Sequence, residues 1–112
     1  MSEGQNQDLI IGAAFQALIG STKDMIFVKD AGGKYVAASL PFAKMAGKES
    51  VEEIIGRNDT EIFEPSLAKR YIADDNKLLS GGQDLIDYNE PILGENGKAR
   101  YATTSKYILR DS

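Results

Sequence analysis

The acidic side chains are the residues of this chain whose type and spacing could do chemistry. Asp59, Glu61 and Glu64 lie close together along the chain, and Asp74 and Asp75 are neighbours. A buried pair of carboxylates can transfer protons or hold a divalent metal ion. Asp59 and Glu61, however, suit the N-terminal turn of a short helix, where negative charge is favourable. Asp74 and Asp75 point in different directions from one helix, and no calcium-loop spacing is met, so we expect neither an enzyme nor a metal site.

The residue types that the sequence lacks restrict its chemistry further. The chain contains no histidine, no cysteine and no tryptophan. Histidine-ligated haem, cysteine-linked flavin, disulfides, thiolate zinc sites and cysteine nucleophiles are therefore excluded. The serines and threonines have no histidine partner, and no glycine-rich phosphate loop is present. The identity of any cofactor stays unknown, with noncovalent flavin left open.

Three further charged residues, Lys29, Glu90 and Lys106, fall in three different predicted strands. They could pair on one face of a sheet. The alternative is scattered surface charge, in which case exposed pairs contribute only about 0–1 kcal/mol each.

Composition predicts one compact, acidic domain. The chain has 112 residues, 42% hydrophobic content, a formal net charge of -4 and an isoelectric point near 4.8. Its Lys and Arg residues are scattered singly, which argues against a nucleic-acid partner and against direct membrane contact. No apolar run approaches the roughly 20 residues of a membrane span, and the N-terminus is not signal-like. We expect a cytoplasmic location, with a membrane span elsewhere in a longer parent chain left open.

The elements that must position these residues follow from local patterns in the first half. Strands are predicted at Met25–Val28 and Tyr35–Ala38, joined by a hairpin turn that Gly32 and Gly33 favour. Ser39 can cap a helix with Pro41 in its first turn, and Gly47 can end it. Ser50 and Glu53 have the form of a capping box.

The second half predicts one longer helix followed by a second hairpin. Pro65 opens the helix, and Gly81 and Gly82 end it. Strands are predicted at Leu85–Leu93 and Ala99–Leu109, closed around Asn96 and Gly97. The fold class is therefore α+β with an antiparallel sheet.

At this point the chain resembles the PAS domain family over nearly its whole length. The resemblance rests on four segments in the order and spacing of bacterial PAS sensor modules: IFVKDAGGKYVAASLPFAKMAG, EEIIGRNDTEIF, YIADDNKLLSGG and YNEPILGENGKARYATTSKYIL. It implies a five-stranded antiparallel sheet with helices packed over one face, around a small ligand pocket or a filled core. It also implies sensory signalling, as in two-component systems, to an output domain such as a histidine kinase or diguanylate cyclase.

Residues that could contact a ligand between the sheet and the helices share an apolar or hydroxyl-bearing side chain on the predicted inner faces. They are Phe27, Phe42, Tyr71, Ile72, Tyr88, Tyr101 and Thr103. The alternative is ordinary packing, in a dimerisation or interaction module that binds no ligand and fills its pocket with its own side chains.

Two departures from the family pattern carry expectations of their own. Ser39 stands where many members have Asn, and the chain stops at Ser112, where the family's fifth strand would begin. That strand lies between the first and the fourth. Its place could be taken by direct pairing of those two strands, by Leu9–Ile11, or by a strand from a second copy.

Residues 1–20 are predicted to form a flanking helix ahead of a PAS domain at 21–112. In PAS sensors such a helix commonly packs in a dimer, so homodimerisation through Leu9, Ile10, Ala14 and Leu18 is predicted. The alternative is that the helix covers its own sheet.

Overall fold

A computed structural model describes residues 3–93 and 99–109, apart from the side chains of residues 3, 88, 89, 93 and 99–103. The helices are α1 (Glu3–Ser21), α2 (Leu40–Met45), α3 (Asp59–Ile62) and α4 (Pro65–Gly81), with a 3-10 turn at Val51–Glu53. The strands are β1 (Phe27–Lys29), β2 (Tyr35–Ala38), β3 (Leu85–Leu93) and β4 (Ala99–Lys106). The predicted α+β class is confirmed.

Strands β1 and β2 form the first antiparallel hairpin. Phe27 pairs with Ala38, and the register shifts after Val28. The turn is held by Asp30, whose Oδ1 accepts the backbone N–H of Gly32 and of Lys34 at 2.9 and 3.0 Å. Gly33 takes a φ of +84°, which side chains with a Cβ adopt poorly, and this explains the glycine at the turn.

The predicted helix caps are present. The hydroxyl of Ser39 accepts the N–H of Phe42 at the start of α2. The carboxylate of Glu53 accepts the N–H groups of Glu49 and Ser50 ahead of the 3-10 turn. Helix α4 begins at Pro65 as predicted, and the left-handed Gly82 ends it.

Strands β3 and β4 form the second antiparallel hairpin, with a bulge between Leu85 and Tyr88. Asp87 within the bulge has a φ of 50°, and its N–H donates to the Ser105 hydroxyl. Strand β4 ends at Lys106 rather than at the predicted Leu109, because the N–H of Ile108 donates to the Asp84 carboxylate instead of to a strand. The predicted turn at Asn96 and Gly97 lies outside the described residues.

The two hairpins are separate sheets within the described part of the chain. One sheet has the order β1–β2 and the other the order β3–β4, so direct pairing of β1 with β4 is not found. Leu9–Ile11 lies within helix α1 and does not fill the place between those strands. A strand from a second copy remains a prediction.

Aromatic rings join the first hairpin to α2, to α4 and to Phe63, the residue that follows α3. Five ring pairs have centroids 5.0 to 6.4 Å apart, and they link Phe27, Tyr35, Phe42, Phe63 and Tyr71 into one series. Ala43, Ile54 and Ala68 complete the buried core around them. Edge-to-face ring pairs contribute about 0.5–1.5 kcal/mol each beyond their buried area.

Candidate functional site

An unbroken line of ion pairs runs through the interior between the two hairpins. It alternates in charge and passes through Asp59, Lys29, Asp75, Lys106 and Glu90. The Lys29 Nζ donates to Asp59 Oδ2 at 2.6 Å and also to Asp75 Oδ2. The Lys106 Nζ lies 3.2 Å from Asp75 Oδ1 and 3.1 Å from Glu90 Oε1. Glu90 and Lys106 therefore pair as expected, whereas Lys29 lies in the other sheet and is linked to them through Asp75.

These charged groups are nearly withdrawn from water. The side chains of Asp59, Lys106 and Glu90 are 2%, 6% and 9% exposed. Removing one partner of a buried ion pair costs about 3–5 kcal/mol, because the other charge is then uncompensated. Each member of the line is therefore held in place by its neighbours.

Asp59 is the most deeply buried of the carboxylates and lies in the first turn of α3. The cap itself is Asn58, whose Oδ1 accepts the N–H groups of Thr60 and Glu61. This leaves Asp59 to face inward, where its Oδ1 accepts the hydroxyl of Tyr35 at 2.6 Å. Asp59 and Glu61 lie in the first turn of α3 as expected, but Asp59 points inward and is one of the largest fully buried side chains among the described residues.

Tyr35 is kept in its neutral, proton-donating form. Burial raises the pKa of Tyr35 far above its ordinary value, and the hydrogen bond to Asp59 and the charge of that carboxylate raise it further. The Lys29 ammonium also lies 4.8 Å from the centroid of the Tyr35 ring, a cation–π distance. Tyr35 thus contacts both ends of the first ion pair.

The opposite end of the line is held within the second hairpin. Glu90 on β3 binds Lys106 on β4 and also accepts the hydroxyl of Thr104 at 3.0 Å. Nearby, the Tyr71 hydroxyl of α4 donates to the carbonyl of Pro91 at 2.7 Å. Helix α4 is therefore fixed to β3 as well as to the lysines.

The cavity beside this line is small. Its volume is about 20 Å³, and it is lined by Phe27, Tyr35, Phe42, Met45, Tyr71, Glu90 and Lys106. A cavity needs a volume of about 10–15 Å³ to hold one water molecule. This cavity therefore has room for one water molecule and for no larger one.

The structure divides the predicted ligand contacts into three groups. Phe27, Phe42 and Tyr71 line the interior cavity. Ile72 is 36% exposed and faces an open hollow of about 460 Å³ on the outside of α3 and α4, with Thr60, Ala68 and Lys69. The side chains of Tyr88, Tyr101 and Thr103 lie outside the described residues.

Sequence reasoning missed Asp75 and the inward direction of Asp59. Asn58 followed three residues later by Glu61 is a capping-box pattern, and it could have shown that Asp59 is not needed as a cap. For Asp75 the sequence carries no local signal, because its partners are 46 and 31 positions away. Among residues 3–93 and 99–109, no three acidic side chains come close enough together to hold a metal ion.

These ion pairs can hold charge and fix the relative positions of the strands and helices that carry them. The comparison of the chain with known proteins agrees with the fold. A family model for the PAS fold matches residues 10–112. The chain belongs to the PAS family. No curated protein matches this PAS domain. PAS domains are, as a family, sensory and signalling modules.

Proposed function

We propose that this PAS domain signals through association with a second copy of itself rather than by enclosing a ligand. The observation that carries this proposal is the surface of helix α1. Leu9, Ile10, Ile11 and Leu18 are 58% to 67% exposed, and among the described side chains of α1 only Ile19 is buried. Residues 9–22 contain no charged side chain. A helix that is apolar on several sides is normally buried against a partner.

A second copy of α1 suits this surface. Ile10, Ala14 and Leu18 are spaced by four residues and follow one side of the helix, with the small Ala14 at the centre, where two backbones can approach. The acidic residues Glu3 and Asp8 lie toward the N-terminal end, and α1 contains no basic residue. An antiparallel pair therefore separates the like charges and aligns the helix dipoles favourably.

The small volume of the interior cavity also favours association with a second copy over ligand binding. The interior cavity, with room for one water molecule, is not a preformed site for a small organic ligand, which commonly occupies several hundred Å³. The second candidate function is sensing of a small molecule that enters by displacing interior side chains. The polar lining by Glu90 and Lys106 favours it over a purely structural core.

The double variant Ile10→Glu with Leu18→Glu tests the dimer. Both positions are exposed, so the fold of the protomer and its circular dichroism should stay unchanged. The expected result in sedimentation velocity is a dimer for the wild type and a monomer for the double variant, because four like charges would meet in the interface. The matched control is Gln16→Glu, which adds charge on the opposite side of α1 and should leave the dimer intact. A wild type that is monomeric up to about millimolar concentration, or a double variant that still dimerises, contradicts the proposal.

A further inference from the structure

The two hairpins are joined by one shared carboxylate. Lys29 lies on β1 and Lys106 on β4, and these strands belong to separate sheets in the described part of the chain. Both ammonium groups bind Asp75 of α4, Lys29 on Oδ2 and Lys106 on Oδ1. Asp75 thus makes a polar connection between strands that share no backbone hydrogen bond.

Without Asp75 the line of ion pairs would be divided into two separate groups. Lys29 would keep Asp59, which belongs with Tyr35 to the first half of the fold. Lys106 would keep Glu90 inside the second hairpin. The side chains of Lys29, Asp75 and Lys106 are 11%, 21% and 6% exposed, so water compensates little for a broken contact.

We propose that Asp75 couples the position of the β3–β4 hairpin to that of β1. Asp75 holds both lysines at once, so a displacement of β4 that breaks the Lys106 contact changes the contact between Asp75 and Lys29. Loss of the Lys106 contact strengthens the binding of Lys29 at Asp75, since a second ammonium group at the same carboxylate no longer repels Lys29. Strand β1 follows α1 after a short connection, so a shift of the second hairpin is passed on through β1 to α1. Helix α1 forms the dimer in the proposed function, and this inference rests on that function.

The test is a double-mutant cycle that measures whether the two lysines act on each other. Lys29→Met and Lys106→Met are made singly and together, in the wild-type chain and in D75N, and the unfolding equilibrium constant is measured by urea denaturation. In the wild-type chain, the unfolding equilibrium constant of the double lysine variant should differ roughly tenfold from the value that the product of the two single effects predicts. In D75N that difference should be less than about twofold. The coupling would be overturned if the effects of the two lysine substitutions on the unfolding equilibrium constant simply multiply in the wild-type chain. It would also be overturned if the difference is as large in D75N as in the wild-type chain.

Two features keep this outcome separate from that of the proposed function. All variants carry Ile10→Glu and Leu18→Glu, so that association does not contribute to unfolding and the cycle is informative whether or not the wild type dimerises. If the lysine variants do not fold, amide hydrogen exchange of D75N alone gives the answer. Faster exchange in β1 and in β4 together is expected, whereas loss of protection confined to one hairpin would overturn the proposal. Asp84→Asn, which affects the carboxylate that binds the Ile108 N–H, is the control and should change β4 and its flank alone.

Discussion

At the scale of single residues, the buried polar contacts explain why the interior of this domain has one arrangement. Asp59, Ser39, Glu90 and Lys106 are the buried polar residues among those described, and each has hydrogen-bond or ion-pair partners. Buried polar groups carry a penalty whenever they lose a partner, so alternative packings that separate them are disfavoured. Tyr35 belongs to the same set, since its hydroxyl faces the Asp59 carboxylate.

The raised pKa of Tyr35 predicts how stability changes in alkali. Because the folded state holds the Tyr35 proton more tightly than the unfolded state, this tyrosine has no effect on the pH dependence below its ordinary pKa of 10.0. As pH rises above 10.0, the unfolded state releases the proton and the free energy of unfolding falls. Phenolate absorbance should then show a late fraction, from Tyr35, that ionises only with unfolding.

Two variants identify that tyrosine. Tyr35→Phe should remove the late fraction of the absorbance change, whereas Tyr107→Phe, at a side chain that is 62% exposed, should leave that late fraction in place. A titration of the folded protein in which all tyrosines ionise together near pH 10 would contradict the assignment.

At the scale of elements, Ser39 joins the start of α2 to the segment ahead of β1. Its hydroxyl accepts the N–H groups of Phe42 and Ile26 and donates to the carbonyl of Asp24 at 2.7 Å. One small side chain therefore serves both as helix cap and as a connection between two segments. This double use accounts for its complete burial.

Ser39→Ala should lower the free energy of unfolding by about 1–3 kcal/mol, because the cap is lost and backbone groups of Ile26 and Asp24 lose their partner. Chemical denaturation measures the change. The control is Ser80→Ala, at an exposed hydroxyl near the end of α4, for which a change within about 0.5 kcal/mol is expected. Equal effects of the two substitutions would show that the connection at Ser39 contributes nothing.

At the scale of the whole molecule, the domain consists of a packed core, built from the hairpins and helices α2 to α4, and of helix α1, which projects from it. The extents are 50 × 33 × 24 Å, and the large exposed apolar residues of α1 contrast with the closed interior. Within residues 3–93 and 99–109, no helix has the length and apolar character needed to cross a membrane. The exposed apolar surface and the buried core thus lie in separate parts of the chain.

Native mass spectrometry of the purified chain tests the interior at this scale. We expect the mass of each protomer in the native spectrum to equal its denatured mass, because the cavity of about 20 Å³ holds nothing larger than water. The denatured spectrum of the same sample is the control. A reproducible extra mass that is lost on denaturation would contradict the filled-core reading and favour the ligand-sensing function.

The local parts of this fold could be predicted from the sequence, because they depend on near neighbours. The cap at Ser39, the turn at Asp30 to Gly33 and the start of α4 at Pro65 each involve contacts over a few positions. The alternation and turn signals likewise predicted two antiparallel hairpins and the α+β class.

The tertiary structure alone decided how the charged residues meet. Lys29 reaches Asp59 and Asp75 over 30 and 46 positions, and no periodicity connects them. It also placed Ile72 on the outside of α4 and Asp59 inside, since burial depends on which elements pack together and not on residue type. The sequence by itself determined the elements, the family and the absence of histidine and cysteine chemistry; only the packing of two separate hairpins against α4 produced the shared carboxylate of Asp75.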